Sequence, residues 1–198
     1  MSSWPRTPRD VRWRRPPPDM DVHEAARLIA PAVVRGSVWA ELGAGTGTFS
    51  AALSGLLGPR GKVYAVERAE RSARVLDALA HEPNHDERAA ITVVRADFTR
   101  HLQLPQLDGI LLANALHFVA DEDQAPLLAR ITRLLSPDGV LLVVEYDNRP
   151  RSRWVPYPVS LARLGIIAAM VAIGPVEEVG RIASAFGGTM YAARVACR

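Results

Sequence analysis

The chain has 198 residues, of which 48% are hydrophobic and 23% are charged. This is the balance of a folded globular protein and excludes a disordered or fibrous one. The single cysteine, Cys197, excludes an internal disulfide and fits a reducing compartment, so we expect a cytoplasmic protein. The most apolar segment, Leu164–Val176, is shorter than the ~20 residues of a membrane-spanning helix, so we expect no membrane partner.

The net charge of +3 is concentrated at the start of the chain, where the first fifteen residues hold five arginines and one aspartate. The segment Met1–Asp19 is rich in proline and arginine, and its run Pro16–Pro18 is incompatible with a helix. We interpret residues 1–19 as a flexible basic arm and residues 20–198 as one folded domain.

After the arm, helical and strand-like patterns alternate. A helix is predicted to begin after Asp21, a typical N-cap residue, and to run through VHEAARLIAPAVV. Apolar, β-branched runs then predict strands, and a 3.6-residue period predicts the helices between them. In chain order these are strand Val38–Leu42, helix Thr46–Leu57, strand Lys62–Val66, helix Glu70–Ala80, strand Ile91–Arg95, strand Leu107–Ala113, helix Asp121–Leu135, strand Val140–Glu145, helix Ser160–Ala172, and strands Val176–Ala183 and Thr189–Ala196.

The character of these strands predicts the fold class. Strands that are apolar throughout and separated by helices indicate a parallel sheet with both faces covered. The last two strands flank SAFGG and predict a hairpin, which would give the sheet an antiparallel end. We therefore predict an α/β, Rossmann-like, doubly wound sheet of seven strands, mostly parallel, with an antiparallel C-terminal hairpin strand.

The loop after the first strand, ELGAGTG at 41–47, places three glycines at alternate positions behind a glutamate. Between a strand and a helix N-terminus, bare backbone lets a ligand approach closely. The dinucleotide pattern G-x-G-x-x-G does not fit, because its third glycine would fall on Thr48 or on Ser50. The spacing therefore argues against an NAD-dependent oxidoreductase.

Five motifs in register resemble the class I S-adenosylmethionine-dependent methyltransferases. They are ELGAGTG at 41–47, VYAVE at 63–67, RADF at 95–98, NALHF at 114–118 and LLSPDGVLLVVE at 134–145. The resemblance covers about Ser37 to Glu145, and the terminal hairpin also suits the family. It implies S-adenosylmethionine as cofactor and methyl transfer as activity. No added recognition domain is visible, which favours a small-molecule acceptor.

The resemblance also implies which residues bind the cofactor. These are Glu41, Gly43, Ala44, Gly45, Gly47, Glu67, Arg68, Asp97, Phe98 and Asn114. The backbone from Gly43 to Gly45 would lie against the methionine part and the ribose. Glu41 would hold this loop and face the ammonium group, directly or through water. Glu67 would accept hydrogen bonds from both ribose hydroxyls, since a carboxylate has acceptors only.

At the adenine end of the cofactor, the resemblance implies that Arg68 lies along the face of the base. Asp97 would accept from the exocyclic amine, and the Phe98 N–H would meet a ring nitrogen. Asn114, at the end of the fourth strand, would line the floor beside the sulfonium.

The catalytic residues stay open at this point. His117 has a pKa range suited to a general base, but a structural role is the stronger expectation for it. Tyr146 and Asp147 follow the fifth strand and are candidates for substrate contact. An N-P-P-[YF] motif is absent, since 114–117 reads NALH, which argues against an exocyclic-amine DNA substrate. No clustered side chains suggest a metal, although Asp147 followed by Asn148 leaves a divalent site open.

One alternative function uses the basic arm. Its arginines and two tryptophans could bind phosphates and stack on bases, as in an RNA- or ribosome-directed protein. The rest of the chain carries no net positive charge, and this favours the small-molecule hypothesis.

Overall fold

The structure is a computed structural model that describes residues 20–82 and 87–196. The predicted arm, residues 1–19, and Cys197 lie outside the described residues. The helices are α1 (Val22–Ile29), α2 (Thr48–Leu57), α3 (Glu70–Ala80), α4 (Asp121–Ile131) and α5 (Leu161–Met170). The strands are β1 (Val38–Leu42), β2 (Lys62–Val66), β3 (Ala90–Val94), β4 (Leu107–Ala113), β5 (Leu135–Asp147), β6 (Val176–Ala183) and β7 (Thr189–Ala196).

The strands form one seven-stranded sheet in the order β3-β2-β1-β4-β5-β7-β6. Strands β1 to β5 pair in parallel, whereas β7 lies antiparallel between β5 and β6. The predicted doubly wound α/β fold with its C-terminal hairpin is confirmed. The strand order reverses between β1 and β4, and ligands of such sheets bind at the carboxyl ends of the strands beside this switch point.

Helices cover both faces of the sheet, which explains why its central strands are apolar throughout. On one face, Leu111 and Leu142 pack in a core with Leu53 of α2. On the other face, Ile110 packs in a core with Leu128 of α4. No helix in the described part of the chain is both long and apolar enough to cross a bilayer.

Helix α1 begins where the sequence predicts and ends earlier. Asp21 accepts a hydrogen bond from the Glu24 N–H at 2.8 Å, and the Glu24 carboxylate accepts from the Asp21 N–H at 3.2 Å. This reciprocal pair is a capping box. The helix ends at Ile29 and a 3-10 turn follows over Ala30–Ala32, since Pro31 has no N–H to continue the α-helical pattern.

A second difference lies between α4 and β5. The predicted helix Asp121–Leu135 ends as an α-helix at Ile131 and closes with one 3-10 turn. Residues 136–139, which lie between the predicted helix and the predicted strand Val140–Glu145, form an irregularity inside β5, where the register shifts between Leu107 and Gly109 of β4. These turn-forming residues lie outside the regular pairing of β4 with β5. The chain nevertheless pairs with β4 on both sides of them, so β5 is longer than predicted.

Among the described glycines, Gly109 leaves the least room for a side chain. A Cβ built there would lie 2.2 to 2.4 Å from three ring carbons of the buried Trp39. We expect Gly109→Ala to lower the free energy of unfolding by about 1–3 kcal/mol through overpacking. The matched control is Gly165→Ala in α5, where a Cβ has no neighbour within 4 Å. It should stabilise by roughly 0.5–1 kcal/mol, because alanine favours a helix. Urea unfolding of both variants checks this, and equal effects would contradict the packing argument.

Candidate active site

A cavity of about 680 Å³ opens at the carboxyl ends of β1, β2 and β4, beside the switch point of the sheet. Nine of the ten residues assigned to the cofactor from the sequence line it. They are Glu41, Gly43, Ala44, Gly45, Glu67, Arg68, Asp97, Phe98 and Asn114. Residues separated by up to 73 positions in sequence are thus brought to one crevice, since parallel strands present their carboxyl ends at the same edge.

The glycine loop follows a backbone path that side chains would obstruct. Gly43, Gly45 and Gly47 have φ values of 81°, 55° and 95°, in the left-handed region that favours glycine. The N–H groups of Gly43 and Ala44 both donate to the Val66 carbonyl, at 2.9 and 3.0 Å. A Cβ at Gly43 would lie 2.9 Å from the Ala115 Cβ, so any larger residue would displace the opposite wall of the cavity.

Gly47 is the one assigned residue that does not line the cavity. It is the N-cap of α2, and its left-handed backbone delays the start of that helix to Thr48, two residues later than predicted. A Cβ at Gly47 would lie 2.8 Å from side-chain carbons of both Leu76 and Leu79 in α3. The glycine here is required by the turn and by packing against α3.

Glu67 connects two segments of the cavity wall. Its Oε2 accepts from the Gly45 N–H at 2.8 Å, and its Oε1 accepts from the Ala69 N–H at 2.7 Å. One carboxylate at the end of β2 therefore fixes both the glycine loop and the start of α3. Each oxygen keeps acceptor capacity for a ligand, because a carboxylate offers about four lone-pair sites.

Asp97 presents an ionised carboxylate to the cavity. Its Oδ1 accepts from the Thr99 N–H at 2.9 Å and from the Thr99 hydroxyl at 2.7 Å. These hydrogen bonds from Thr99, with a smaller contribution from Arg68, lower the pKa of Asp97. The Arg68 contact to Oδ2 is long at 3.4 Å, and the Arg68 side chain is 71% exposed. Oδ2 is therefore the oxygen most open to a ligand.

Glu41 has the opposite environment. Its side chain is 2% exposed and accepts a hydrogen bond from the equally buried Ser50 hydroxyl. Its register partners are Ala65 in β2 and Leu111 in β4, both apolar. Burial raises the pKa of Glu41 to about 8, the Ser50 hydrogen bond opposes this rise, and the nearby Glu67 charge adds to it. The carboxyl is therefore mostly protonated at neutral pH.

Asn114 closes the floor of the cavity under strain. Its φ is 50°, and its N–H donates to the Val144 carbonyl at 2.8 Å. Its Oδ1 is buried and has no hydrogen-bond partner in the described part of the chain. A buried acceptor without a donor is costly, so a ligand N–H or O–H at this point would be stabilising.

His117 is held by a partner that sequence reasoning missed. Glu145 accepts from the His117 backbone N–H at 3.1 Å and lies 2.7 Å from the imidazole Nδ1, with both side chains almost fully buried. The His117 carbonyl in turn accepts from the Tyr157 N–H at 3.0 Å. His117 does not line the cavity. The strand motif containing Glu145 was recognised, but nothing local in the sequence linked this acid to a histidine 28 residues away.

The two candidates for substrate contact, Tyr146 and Asp147, do not line the cavity either. Tyr146 is buried, with its ring 6.1 Å from that of His117. Asp147 pairs with Arg181 at 2.8 Å and accepts from the Leu161 N–H at 3.2 Å. Within residues 20–82 and 87–196, no three histidine, cysteine or carboxylate side chains are grouped as a metal site would require.

Apolar residues that were not assigned to the cofactor from the sequence also line the cavity. They are Met20, Phe49, Ala113, Ala115, Phe118 and Val119. Met20 directly precedes the N-cap of α1, and Phe49 comes from α2. The others lie at the end of β4 or just after it. The lining of the cavity thus combines carboxylates with apolar side chains, of which Phe118 is 57% exposed.

Buried Glu41 predicts that the protein without ligand becomes less stable as pH rises. Between the ordinary pKa of 4.5 and the raised value of about 8, the folded state keeps a proton that the unfolded chain has lost. The free energy of unfolding should therefore fall across this window by up to ~1.4 kcal/mol per pH unit.

Urea unfolding from pH ~5 to ~8 measures this slope. Glu41→Gln cannot titrate and should flatten it, whereas Glu70→Gln, at an exposed acid, should leave it unchanged. An equally steep slope in Glu41→Gln would show that Glu41 is ionised in the folded protein.

Comparison with known proteins identifies the family and the fold. A family model described as a methyltransferase domain matches residues 40–139, just over half of the chain. No curated protein matches the sequence. The matched region contains all ten residues assigned to the cofactor.

Solved structures share the fold at low sequence identity. A SAM-dependent methyltransferase from Aquifex aeolicus is 18% identical with a TM-score of 0.66, over 86% of this chain and 89% of that one. The 1,6-didemethyltoxoflavin-N1-methyltransferase of Burkholderia thailandensis, with bound 1,6-didemethyltoxoflavin and S-adenosylhomocysteine, is 20% identical with a TM-score of 0.72, over 91% and 79%. The magnesium protoporphyrin IX methyltransferase of Synechocystis PCC 6803, with bound SAM, is 17% identical with a TM-score of 0.63, over 87% and 76%.

Proposed function

The chain belongs to the class I S-adenosylmethionine-dependent methyltransferases, and we propose that it methylates a small-molecule acceptor by in-line displacement. S-adenosylmethionine is its cofactor. The observation that carries the proposal is the crevice of about 680 Å³, whose lining combines carboxylates with apolar side chains. This volume lies in the range of small-molecule sites. The single cysteine supports a cytoplasmic location.

The residues present fit the nucleoside end of the cofactor. The glycine loop presents bare backbone at Gly43 and Gly45, where a Cβ would be strained. The Glu67 carboxylate would accept from the ribose hydroxyls with the lone pairs that the Gly45 and Ala69 N–H groups leave open. Asp97, which is held ionised, would accept from the adenine amine.

The methionine end would lie towards Glu41 and Asn114. A cationic ammonium group beside Glu41 would favour the charged carboxylate, so binding would be coupled to proton release. The unpartnered Asn114 Oδ1 would accept a hydrogen bond from the cofactor or from the acceptor. Both side chains would then be better satisfied in the complex than in the protein alone.

S-adenosylmethionine supplies a methyl group on a positively charged sulfur. In the proposed transfer the acceptor's nucleophile bonds to the methyl carbon while the carbon–sulfur bond breaks, and the nucleophile's proton passes to solvent. Phe118 and Val119 would provide apolar contacts to the acceptor at this point. Charge is neutralised rather than created, so orientation by the walls can supply much of the rate. Among the described residues, no histidine lines the cavity as a general base.

An RNA-directed activity is the alternative that the arginine-rich arm suggests, and that arm lies outside the described residues. The cavity wall itself does not favour a polyanion. The carboxylates of Glu67 and Asp97 line it, against Arg68 as the basic residue. A small acceptor therefore has the stronger support.

Calorimetric titration tests S-adenosylmethionine as the cofactor against NAD. S-adenosylmethionine and S-adenosylhomocysteine should bind saturably, and NAD should not, because the glycine spacing lacks the dinucleotide pattern. A screen of small amines, phenols and thiols for S-adenosylhomocysteine release then tests the acceptor class. Binding of NAD without S-adenosylmethionine would overturn the proposal. Methylation confined to RNA would replace it with the alternative.

Glu67→Gln should weaken S-adenosylhomocysteine binding by about 1–3 kcal/mol, since charge-assisted hydrogen bonds to the ribose would be lost. Glu70→Gln is the matched control, because Glu70 is exposed at the start of α3 and does not line the cavity. Calorimetry compares the two variants, and thermal unfolding checks that both fold. Equal affinities would show that another residue binds the ribose.

His117→Gln should act on stability and leave the chemical step intact. Disrupting the buried contact to Glu145 should lower the free energy of unfolding by ~1–3 kcal/mol, while turnover at saturating cofactor changes little. His81→Gln, at an exposed histidine, is the control. A general-base role would instead cost ~100-fold or more in turnover. Such a selective loss, with an unchanged melting curve, would contradict the structural role.

A further inference from the structure

Helix α2 buries two serines one turn apart, and their hydroxyls have different partners. Ser50 is fully buried and Ser54 is 3% exposed. The Ser54 hydroxyl donates to the Ala89 carbonyl at 2.6 Å, directly before β3. The Ser50 hydroxyl donates instead to Oε2 of Glu41, near the end of β1. Glu41 lines the cofactor cavity and Ser50 does not, so Ser50 can influence a ligand there only through Glu41.

The carboxyl of Glu41 is held by this one contact. Ser50 is its hydrogen-bond partner, and no other described residue donates to either of its oxygens. Its register neighbours on the two adjacent strands, Ala65 and Leu111, have apolar side chains. Ser50 therefore fixes Oε2 and leaves Oε1 for a ligand in the cavity.

The same contact favours the ionised form of Glu41. Burial raises the pKa of Glu41, and the charge of Glu67, which follows β2, raises it further. Glu67 is the charged group that acts on Glu41 among the described residues, and the Ser50 hydrogen bond opposes both effects. A hydroxyl donates more strongly to a carboxylate than to a neutral carboxyl. Ser50 thus lowers the cost of forming the anion that a cationic ligand needs.

We propose that Ser50 is a positioning residue for the cofactor: its hydroxyl holds the ionised Glu41 carboxylate so that Oε1 binds the ammonium group of S-adenosylmethionine. The proposal rests on the proposed function, because it assigns a role in that site to a side chain outside the cavity lining. When the cofactor binds, the proton of Glu41 passes to solvent and the ammonium group keeps its three protons. Ser50 itself touches no ligand.

This role makes Ser50 matter only for ligands that carry the ammonium group. S-adenosylhomocysteine has the adenine, the ribose and the whole amino acid end. 5′-Methylthioadenosine has the same adenine and ribose with a methyl thioether, but it lacks the amino acid end. A general loss of packing around α2 would weaken both ligands alike, whereas loss of the Glu41 contact would weaken only S-adenosylhomocysteine.

The first test is calorimetric titration of the full chain with both ligands at pH ~7. Ser50→Ala should fold, because alanine favours a helix. It should weaken S-adenosylhomocysteine about tenfold or more, the effect of one hydrogen bond to a charged group, and 5′-methylthioadenosine less than about twofold. Ser54→Ala is the matched control, because it removes a buried hydroxyl of the same helix, and it should change neither affinity more than about twofold.

Two outcomes of this titration overturn the role of Ser50. They are equal losses for the two ligands in Ser50→Ala, and an S-adenosylhomocysteine affinity that matches the unsubstituted chain. Either result would leave the proposed function standing, because S-adenosylhomocysteine would still bind the unsubstituted chain. Failure of that chain to bind S-adenosylhomocysteine would overturn the proposed function and the role of Ser50 with it.

The second test asks whether Ser50 acts through Glu41. In a Glu41→Gln chain, adding Ser50→Ala should weaken S-adenosylhomocysteine by less than about twofold further, since the carboxylate is already gone. With Glu41 present, the loss caused by Ser50→Ala should shrink at least about twofold between pH ~7 and pH ~8.5, because the cost of ionising Glu41 falls as pH rises. A full loss in the Glu41→Gln chain, or a loss that is constant with pH, would overturn the proposal.

Discussion

The left-handed backbone between Gly43 and Gly47 is the constraint on which the site depends. It lets two successive N–H groups, of Gly43 and Ala44, reach the Val66 carbonyl. The same path brings the Gly45 N–H to Glu67. A side chain at Gly43 would collide with Ala115, and one at Gly47 would collide with Leu76 and Leu79 of α3. The cavity therefore depends on the glycines of the loop that follows β1, directly beside the strand-order reversal of the sheet.

The carboxylates of the cavity carry different charges because their surroundings differ. Asp97 is partly exposed and receives two hydrogen bonds from Thr99, so its pKa is lowered. Glu41 is buried between apolar neighbours with one hydroxyl partner, so its pKa is raised to about 8. A cationic ligand would meet the carboxylate of Asp97 already ionised and would favour the ionisation of Glu41. The site is thus suited to a cofactor that combines a neutral base, a sulfonium and an ammonium group.

Sequence patterns predict the structural features that depend on residues close together in the chain. The glycine loop, the strands and the Asp21 cap follow from local periodicity and turn chemistry, and the sheet order then brings the predicted residues together. Long-range contacts were not predictable. The Glu145–His117 pair and the contact of the Trp39 ring with Gly109 both depend on which distant segments meet. The register shift in β5 was missed for the same reason, because pairing with β4 overrides a turn-forming sequence.

A crystal structure of the complex with S-adenosylhomocysteine tests the central claim, that this crevice binds the cofactor, most directly. The account predicts that the ribose hydroxyls lie within hydrogen-bonding distance of Glu67 and that the adenine amine lies at Asp97. The amino acid end should run along Gly43 and Gly45 towards Glu41. Density for the ligand outside this crevice, or a ribose bound by residues other than Glu67, would contradict the account.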